Sequence, residues 1–459
     1  MPYILKKHYP WRSVLFVAGE GLLIFLVINT ILILTIGFAG YNETLPIYFF
    51  RAAVVVFVFQ LSFYYLDLYD LSVIPKFSQH MLQVLQAFGF GCIFLAVIYF
   101  FFPFLTISTR IFWGGLIAAG IAIFSWRFFY FKMLECRMFS IPIALIGTGK
   151  VAEDVISAIE SKKDSGFTVA AFVGNSSPAT NPENAPVLHD IKDLYGLCAS
   201  RKIEKIVLAV DDKRGIPMHD LIQYKFMGID IYDVVKFYED LTGKIMVERV
   251  NPSLLLFSDG FYVGYTKRMI KRFIDISIAS VMLLLSLPIF LICAPVIKLE
   301  SPGPVFYRQE RVGKNGKIFQ IVKFRSMRND AEEGGPVWAQ AKDDRVTRFG
   351  RFIRQVRIDE LPQLFNVIKG EMSFVGPRPE RPMFVENLKK TIPYYTIRHV
   401  VKPGITGWAQ ICYPYGASEE DALRKLEYDL YYIKNLSIGM DLSTIFQTVK
   451  VVLFQKGAR

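Results

Sequence analysis

The 459-residue chain has few cysteines, and none are placed to act together. Cys92, Cys136, Cys198, Cys293 and Cys412 form no C-x-x-C pair and fall at no metal-ligand spacing. That excludes a zinc cluster, a redox dithiol and a disulfide framework, and fits reduced thiols facing a cytosol. No small-residue cleavage site follows the first apolar run, which is also too long for a removable signal peptide. Nucleic-acid-binding motifs are missing, which argues against a nucleic-acid partner. Residues 1–266 carry no net charge, with 22 Lys and Arg against 22 Asp and Glu. The whole surplus behind the net charge of +12 lies in 267–459, with 31 against 19. What the chain does have is apolar mass: 53% hydrophobic residues, 15% aromatic, and 40 Phe. This composition indicates a membrane protein, and a basic segment in one faces anionic lipid, an anionic substrate, or both.

Four apolar runs, about 13–37, 46–66, 82–105 and 109–131, approach the ~20 residues a bilayer needs. Lys6, Lys7 and Arg12 precede the first, and Arg127, Lys132, Arg137 and Lys150 end or follow the fourth. The loops between are poor in Lys and Arg, so both ends are expected in the cytoplasm. The expectation for 1–136 is a four-helix transmembrane bundle, with Glu20 and Arg51 in bundle or helix-end contacts rather than on a transport path. Residues 137–264 read as a Rossmann-like α/β cytoplasmic domain. "IPIALIGTGKVAEDVISAIE" is a strand, a glycine turn and a helix, and Gly147, Gly149 and Ala152 match the phosphate-binding fingerprint. The next strand, "FTVAAFVGN", ends without the acid that would hold a ribose, which favours a structural or regulatory module over a working NAD site.

A last apolar run, 273–297, is interrupted by Ser286 and Pro288. Lys267, Arg268, Lys271 and Arg272 flank one end, and Lys298, Arg308, Arg311 and Lys314 the other. A spanning helix should show charge asymmetry, and this one shows none. The expectation is a re-entrant membrane helix over about 268–298 that turns at Ser286–Pro288 and leaves on the side it entered. A kinked spanning helix is the alternative.

The tail concentrates chemistry-bearing residues. Arg345, Arg348, Arg351, Arg354 and Arg357 recur every third residue beside an apolar set, Val346, Phe349, Phe352, Ile353 and Val356, at helical spacing. That reads as an amphipathic helix on the membrane surface. In "RQVRIDELPQLFNVIKG" the apolar spacing predicts a helix from about Asp359 to Lys369, stopped by Gly370, with Asp359 near the N-cap, where the helix dipole keeps it ionised. "KFRSM" supplies Lys323 and Arg325, and prolines on both sides of Arg378 in "GPRPE" restrict its backbone. Asp359 and Glu360 offer hard oxygens for Mg²⁺, and a carboxylate can also act as a nucleophile. Nucleophile, metal and cations together describe phosphoryl transfer.

"SPGPVFYRQERVGKNGKIFQIVKFRSM", "RIDELPQLFNVIKGEMSFVGPRPERP" and "VKPGITGWAQ" closely resemble the bacterial sugar transferases of the monotopic phosphoglycosyl transferase superfamily. The match covers about 265–459, and the first 264 residues look like the amino-terminal half of the large initiating transferases of exopolysaccharide and O-antigen synthesis. The resemblance implies an α-rich catalytic domain over 265–459, seated on the cytoplasmic face of the inner membrane. It implies transfer of sugar-1-phosphate from a UDP-hexose, glucose or galactose in most such members, to undecaprenyl phosphate, with release of UMP. It also implies Asp359 as the nucleophile that takes the phospho-sugar covalently, Glu360 as a Mg²⁺ ligand, and Lys323, Arg325, Arg354 and Arg378 near substrate phosphates. Large members suggest a homodimer. Asp429 and Tyr432 match a tail motif whose role neither residue type discloses. The break, often Ser-Pro in the family, is Ser286-Leu287-Pro288 here. A membrane-tethered nucleotide-sugar dehydratase or epimerase is the competing enzyme. It would need a second dinucleotide fingerprint and a Tyr-x-x-x-Lys pair, and 265–459 lacks the fingerprint. A non-catalytic scaffold of a polysaccharide assembly is the other alternative.

Overall fold

The computed structural model describes residues 3–4, 7–8, 11–69, 77–135, 140–162, 165–181, 184–210, 214–250, 252–258, 260–262, 264–328, 345–413, 416 and 418–453. Lys6, Cys136 and Arg137 lie outside them. The chain forms two compact units, centred on His8–Phe237 and Tyr238–Arg459.

In the first unit, the helical stretch Trp11–Tyr65 is interrupted at Gly37, whose φ of 77° a residue with a Cβ adopts only with strain. The interruption separates spans Ser13–Phe38 and Pro46–Tyr65; Gln79–Phe101 and Thr109–Leu134 are the next two. All four are long and apolar enough to cross a membrane. Ile24, Phe63, Leu95 and Ile123 fill the space between them, while residues such as Leu34 and Phe100 turn outward. Arg127 and Glu20 are completely buried in this bundle, joined by bonds of 2.7 and 3.0 Å. The Leu68 carbonyl and His80 engage the same guanidinium. Glu20 is therefore a bundle contact. Arg51 is a helix-end contact, donating to the Phe104 carbonyl at 3.0 Å.

The α/β segment of this unit has strands β1 (Ile141–Ile146), β2 (Phe167–Val173), β3 (Val187–Leu188), β4 (Lys205–Leu208) and β5 (Asp230–Asp233). They form one parallel sheet in the order β3-β2-β1-β4-β5. Two halves wound outward from β1 are the Rossmann-like order. Gly147 leaves β1 at φ 117°, where a Cβ would lie 2.2 Å from the Ala209 carbonyl oxygen, and Gly149 caps the helix Lys150–Glu160.

The second unit is built on one long helix, Tyr265–Glu300, with Pro288 and Pro295 inside it. Helical geometry continues through Ser286 and Pro288, where the sequence marks a break. The reason is packing. Asp275, Ala279, Ser286, Cys293 and Ile297 are buried at intervals of four and seven, a single stripe that holds helical register through the proline. Ser286 Oγ donates to the Leu283 carbonyl at 3.0 Å beside the missing proline donor. The opposite face presents Phe273, Leu284, Leu285, Leu291 and Leu299, all exposed.

Against this helix stands an antiparallel hairpin of β6 (Phe306–Val312) and β7 (Ile318–Phe324), with Tyr307 opposite Lys323 and Arg311 opposite Phe319. A short parallel pair, β8 (Ser373–Val375) and β9 (Gly404–Thr406), and the helices Gln363–Lys369, Pro382–Thr391, Glu419–Lys434 and Ile438–Leu453 complete the unit. Ile321, Leu364, Val367, Met372, Leu426 and Leu430 share its main core, which also takes in Ile245 and Val247.

Candidate active site

The arginine stripe folds as a shorter helix than its spacing predicts. Arg348–Gln355 is helical, capped by Thr347 Oγ1, which accepts from Gly350 N at 2.9 Å. Arg345 and Val346 precede the helix, Val346 bridging to Met327. Arg357 follows it in the left-handed region, φ 60°. That turn redirects the chain, so Arg357 faces Glu360 rather than continuing the stripe.

Asp359 and Glu360 lie in a 3₁₀ turn, Ile358–Glu360, ahead of the helix Gln363–Lys369, whose N-cap is Pro362. Asp359 is therefore not the helix cap the spacing predicts; Pro362 has no N–H and separates the turn from the helix. Gly370 ends the helix at φ 89°, as expected. Asn366 stitches the helix to the hairpin, donating to the Gln320 carbonyl at 2.7 Å and accepting from Val322 N at 3.1 Å. Arg272 covers the helix end, donating to the Val367 and Ile368 carbonyls.

Three cations converge on Glu360 Oε1: Arg378 at 2.8 Å, Lys323 at 3.4 Å and Arg357 at 3.7 Å. Burial alone would raise the Glu360 pKa, but Arg378, Lys323 and Arg357 outweigh it and hold the carboxyl far below its ordinary range. Asp359, 7% exposed, moves the other way. Burial, then the Glu360 charge, raise its pKa against Lys323, Arg354 and Arg357. The helix dipole thus does not govern Asp359. Adjacent carboxyls pushed apart in this way suit different roles, one a permanent anion and the other a group that gains or loses charge easily. Lys323 is lowered by burial, with Glu360 opposing.

The predicted cations separate into two sets. Lys323 and Arg378 reach the dyad, and Arg354 acts on Asp359 through its charge while its Nε donates to Ser326 Oγ at 2.8 Å. Arg325 is engaged elsewhere. Its guanidinium donates to the Pro302, Ser301 and Ile297 carbonyls at 2.7, 2.6 and 3.3 Å, closing the C-terminal end of the long helix.

Arg378 sits on a fixed loop. Four successive carbonyls, Pro377 to Glu380, each accept a bond from elsewhere in the unit: Gly404 N, Arg398, Arg311 and Val312 N. Arg398 is itself buried, pairing with Asp429 at 2.8 Å and donating to the Tyr395 hydroxyl at 2.6 Å. Asp429 thereby acquires a position in the site's support. Tyr432 donates to Asp441 at 2.7 Å and to the Val375 carbonyl at 3.1 Å. Lys271 joins the same two groups, and Asp275 accepts from Ser373 and Phe374 N, tying the long helix to β8. Sequence reading missed Arg311, Arg357 and Arg398 as members of the site. The left-handed turn at Arg357 and the long-range pairing of Arg398 leave no periodic trace. Among the described residues no cluster of three or more His, Cys, Asp or Glu could hold a metal ion. A divalent cation here would rest on Asp359, Glu360 and oxygens of a substrate.

Residues 266–455 match the bacterial sugar transferase family, and residues 65–225 match a CoA-binding domain. The chain is 43% identical over 251 residues to a UDP-N-acetylgalactosamine-undecaprenyl-phosphate N-acetylgalactosaminephosphotransferase of Aeromonas hydrophila. That match covers 54% of this chain and 58% of the relative, so the chain spans under two thirds of the relative's length. An undecaprenyl-phosphate glucose phosphotransferase of Komagataeibacter xylinus is 34% identical over 334 residues, 70% of this chain and 61% of that one. A UDP-glucose:undecaprenyl-phosphate glucose-1-phosphate transferase of Klebsiella pneumoniae is 32% identical over 434 residues, 90% of each chain. With motifs, fold and the Klebsiella match over 90% of each chain in agreement, the chain belongs to the bacterial sugar transferase family.

Proposed function

We propose that the protein transfers hexose-1-phosphate from a UDP-hexose to undecaprenyl phosphate, releasing UMP, as the first membrane step of a polysaccharide. In the first half-reaction an Asp359 oxygen attacks the phosphorus that bears the sugar. The bond from that phosphorus to the bridging oxygen breaks, and the oxygen leaves with UMP. In the second, a phosphate oxygen of undecaprenyl phosphate attacks the same phosphorus, and Asp359 is released as a carboxylate. Lys323, Arg354, Arg357 and Arg378 would offset the charge of the phosphoryl oxygens. The observation that carries this reading is the split pair, a buried Asp359 with a raised pKa beside a Glu360 kept anionic by three cations.

Mg²⁺ fits the donor chemistry, since Asp359 and Glu360 are hard oxygen donors of the type it takes alongside substrate phosphates. Bound there, it would neutralise charge on the diphosphate. The long helix would lie in the cytoplasmic leaflet of the inner membrane without crossing it. Supporting this, its Arg272 end and its Ile297 end both bind the same unit. Its exposed apolar face is left for lipid. Cysteines placed at Tyr265 and at Leu299 should then both label from the cytoplasmic side.

The test is UMP release by purified protein with undecaprenyl phosphate and Mg²⁺, across UDP-glucose, UDP-galactose and their N-acetylhexosamine counterparts. Expected are release with one donor, loss with chelator, loss in Asp359→Asn, and a phospho-sugar adduct on Asp359 when the lipid is withheld. No release across the panel from folded protein would refute the transferase.

A further inference from the structure

Gln363 is 2% exposed, and its side-chain nitrogen Nε2 has no hydrogen-bond partner among the described residues. A buried amide left unpaired is destabilising, so a chain that carries one calls for an explanation. Its position supplies one. Gln363 stands one turn before Asn366 on the same helix face. Asn366 is fastened to β7 at Gln320 and Val322. The next β7 residue, Lys323, pairs with Glu360, three residues before Gln363. The orphan donor therefore sits along the chain between the dyad and the residue that anchors the helix to the hairpin.

We propose that Gln363 is a substrate-contacting residue, its amide donating to a phosphoryl oxygen of the nucleotide-sugar diphosphate. The inference rests on the transferase reading above. It adds a neutral donor to the charged groups Lys323, Arg357 and Arg378. A neutral amide discriminates by direction, where the cations act mainly through charge.

Gln363→Met keeps the volume and removes the donor. Expected is an unchanged or higher melting temperature together with a fall in kcat/KM of about a hundredfold, the lower end of the scale for losing one preorganised oxyanion donor. The Met variant with wild-type kinetics would overturn the proposal, leaving the amide as host to a buried water. A joint loss of stability and activity would overturn it too, as a packing effect. A binding arm separates this inference from the function it rests on. UDP, as a diphosphate probe, should raise the melting temperature of wild type more than that of Gln363→Met, whether or not any sugar donor turns over. An equal rise would overturn the inference, whereas an inactive wild type overturns only the transferase reading.

Discussion

Removing the acid of the buried Arg398–Asp429 pair should cost both stability and catalysis, by routes that can be told apart. Arg398 is 6% exposed and Asp429 1%, and their charged atoms approach to 2.8 Å. Asp429→Leu leaves a guanidinium buried without its counter-charge, which costs about 3–5 kcal/mol. In a unit of this size that corresponds to a melting shift of about 6–20 °C. Asp429→Asn keeps the shape and an acceptor and removes only the charge, so it should lose less than Asp429→Leu. The catalytic effect follows from the Arg398 bond to the Arg378 carbonyl at 3.0 Å. Freeing that carbonyl lets Arg378 drift from Glu360, and misplacement on the order of 1 Å can lower turnover about a hundredfold. The assay is UMP release by Asp429→Asn at a temperature where it is fully folded, alone and combined with Arg378→Ala. If Asp429 acts through Arg378, its effect disappears in the Arg378→Ala background. An unchanged effect there would refute the chain of contacts.

Because the Asp359 pKa is raised, and only its ionised form would attack in the proposed reaction, the rate should fall with decreasing pH at values above the ordinary carboxylate range. Glu360→Gln removes a charge that raises it, so the acid limb of whatever activity survives should move to lower pH in a kcat/KM profile. Arg325→Ala should lower the melting temperature while leaving KM for the donor unchanged, since Arg325 caps the long helix; a selective rise in KM would restore it to the phosphate site. In the bundle, Arg127→Met alone should destabilise by about 3–5 kcal/mol, whereas Arg127→Met with Glu20→Met should recover most of the loss, read by thermal aggregation in detergent.

The dyad was legible as two adjacent carboxylates among cations inside a family motif, while the apolar period and the proline marked only the helix that follows it; Arg378 stood out because prolines flank it on both sides. Lys323 and Arg325 look alike in sequence, two residues apart and so on one face of a strand. β7 ends at Phe324, however, and Arg325 leaves that register for the helix end. The spacing of 345–357 stays helical on paper, but the left-handed residue at Arg357 cuts it, and no periodicity encodes that turn. The Ser286–Pro288 break rests on local residue types, and only tertiary packing reveals the buried stripe that keeps the segment helical there. The support of Arg378 by Arg398 and Asp429 joins residues 20 and 31 positions apart and needs the folded unit to be seen.

An exposed apolar face could make the long helix look like a float to which chemistry is attached. Here Ala279 lies in the main core, Cys293 and Ile297 in a second one with Phe324 and Ile353, and Asp275 holds the strand leading to Arg378. Cutting the chain after residue 300 to obtain a water-soluble catalyst would therefore remove interior, not packaging. A soluble redesign would have to keep this helix and repaint only its outward leucines and phenylalanines.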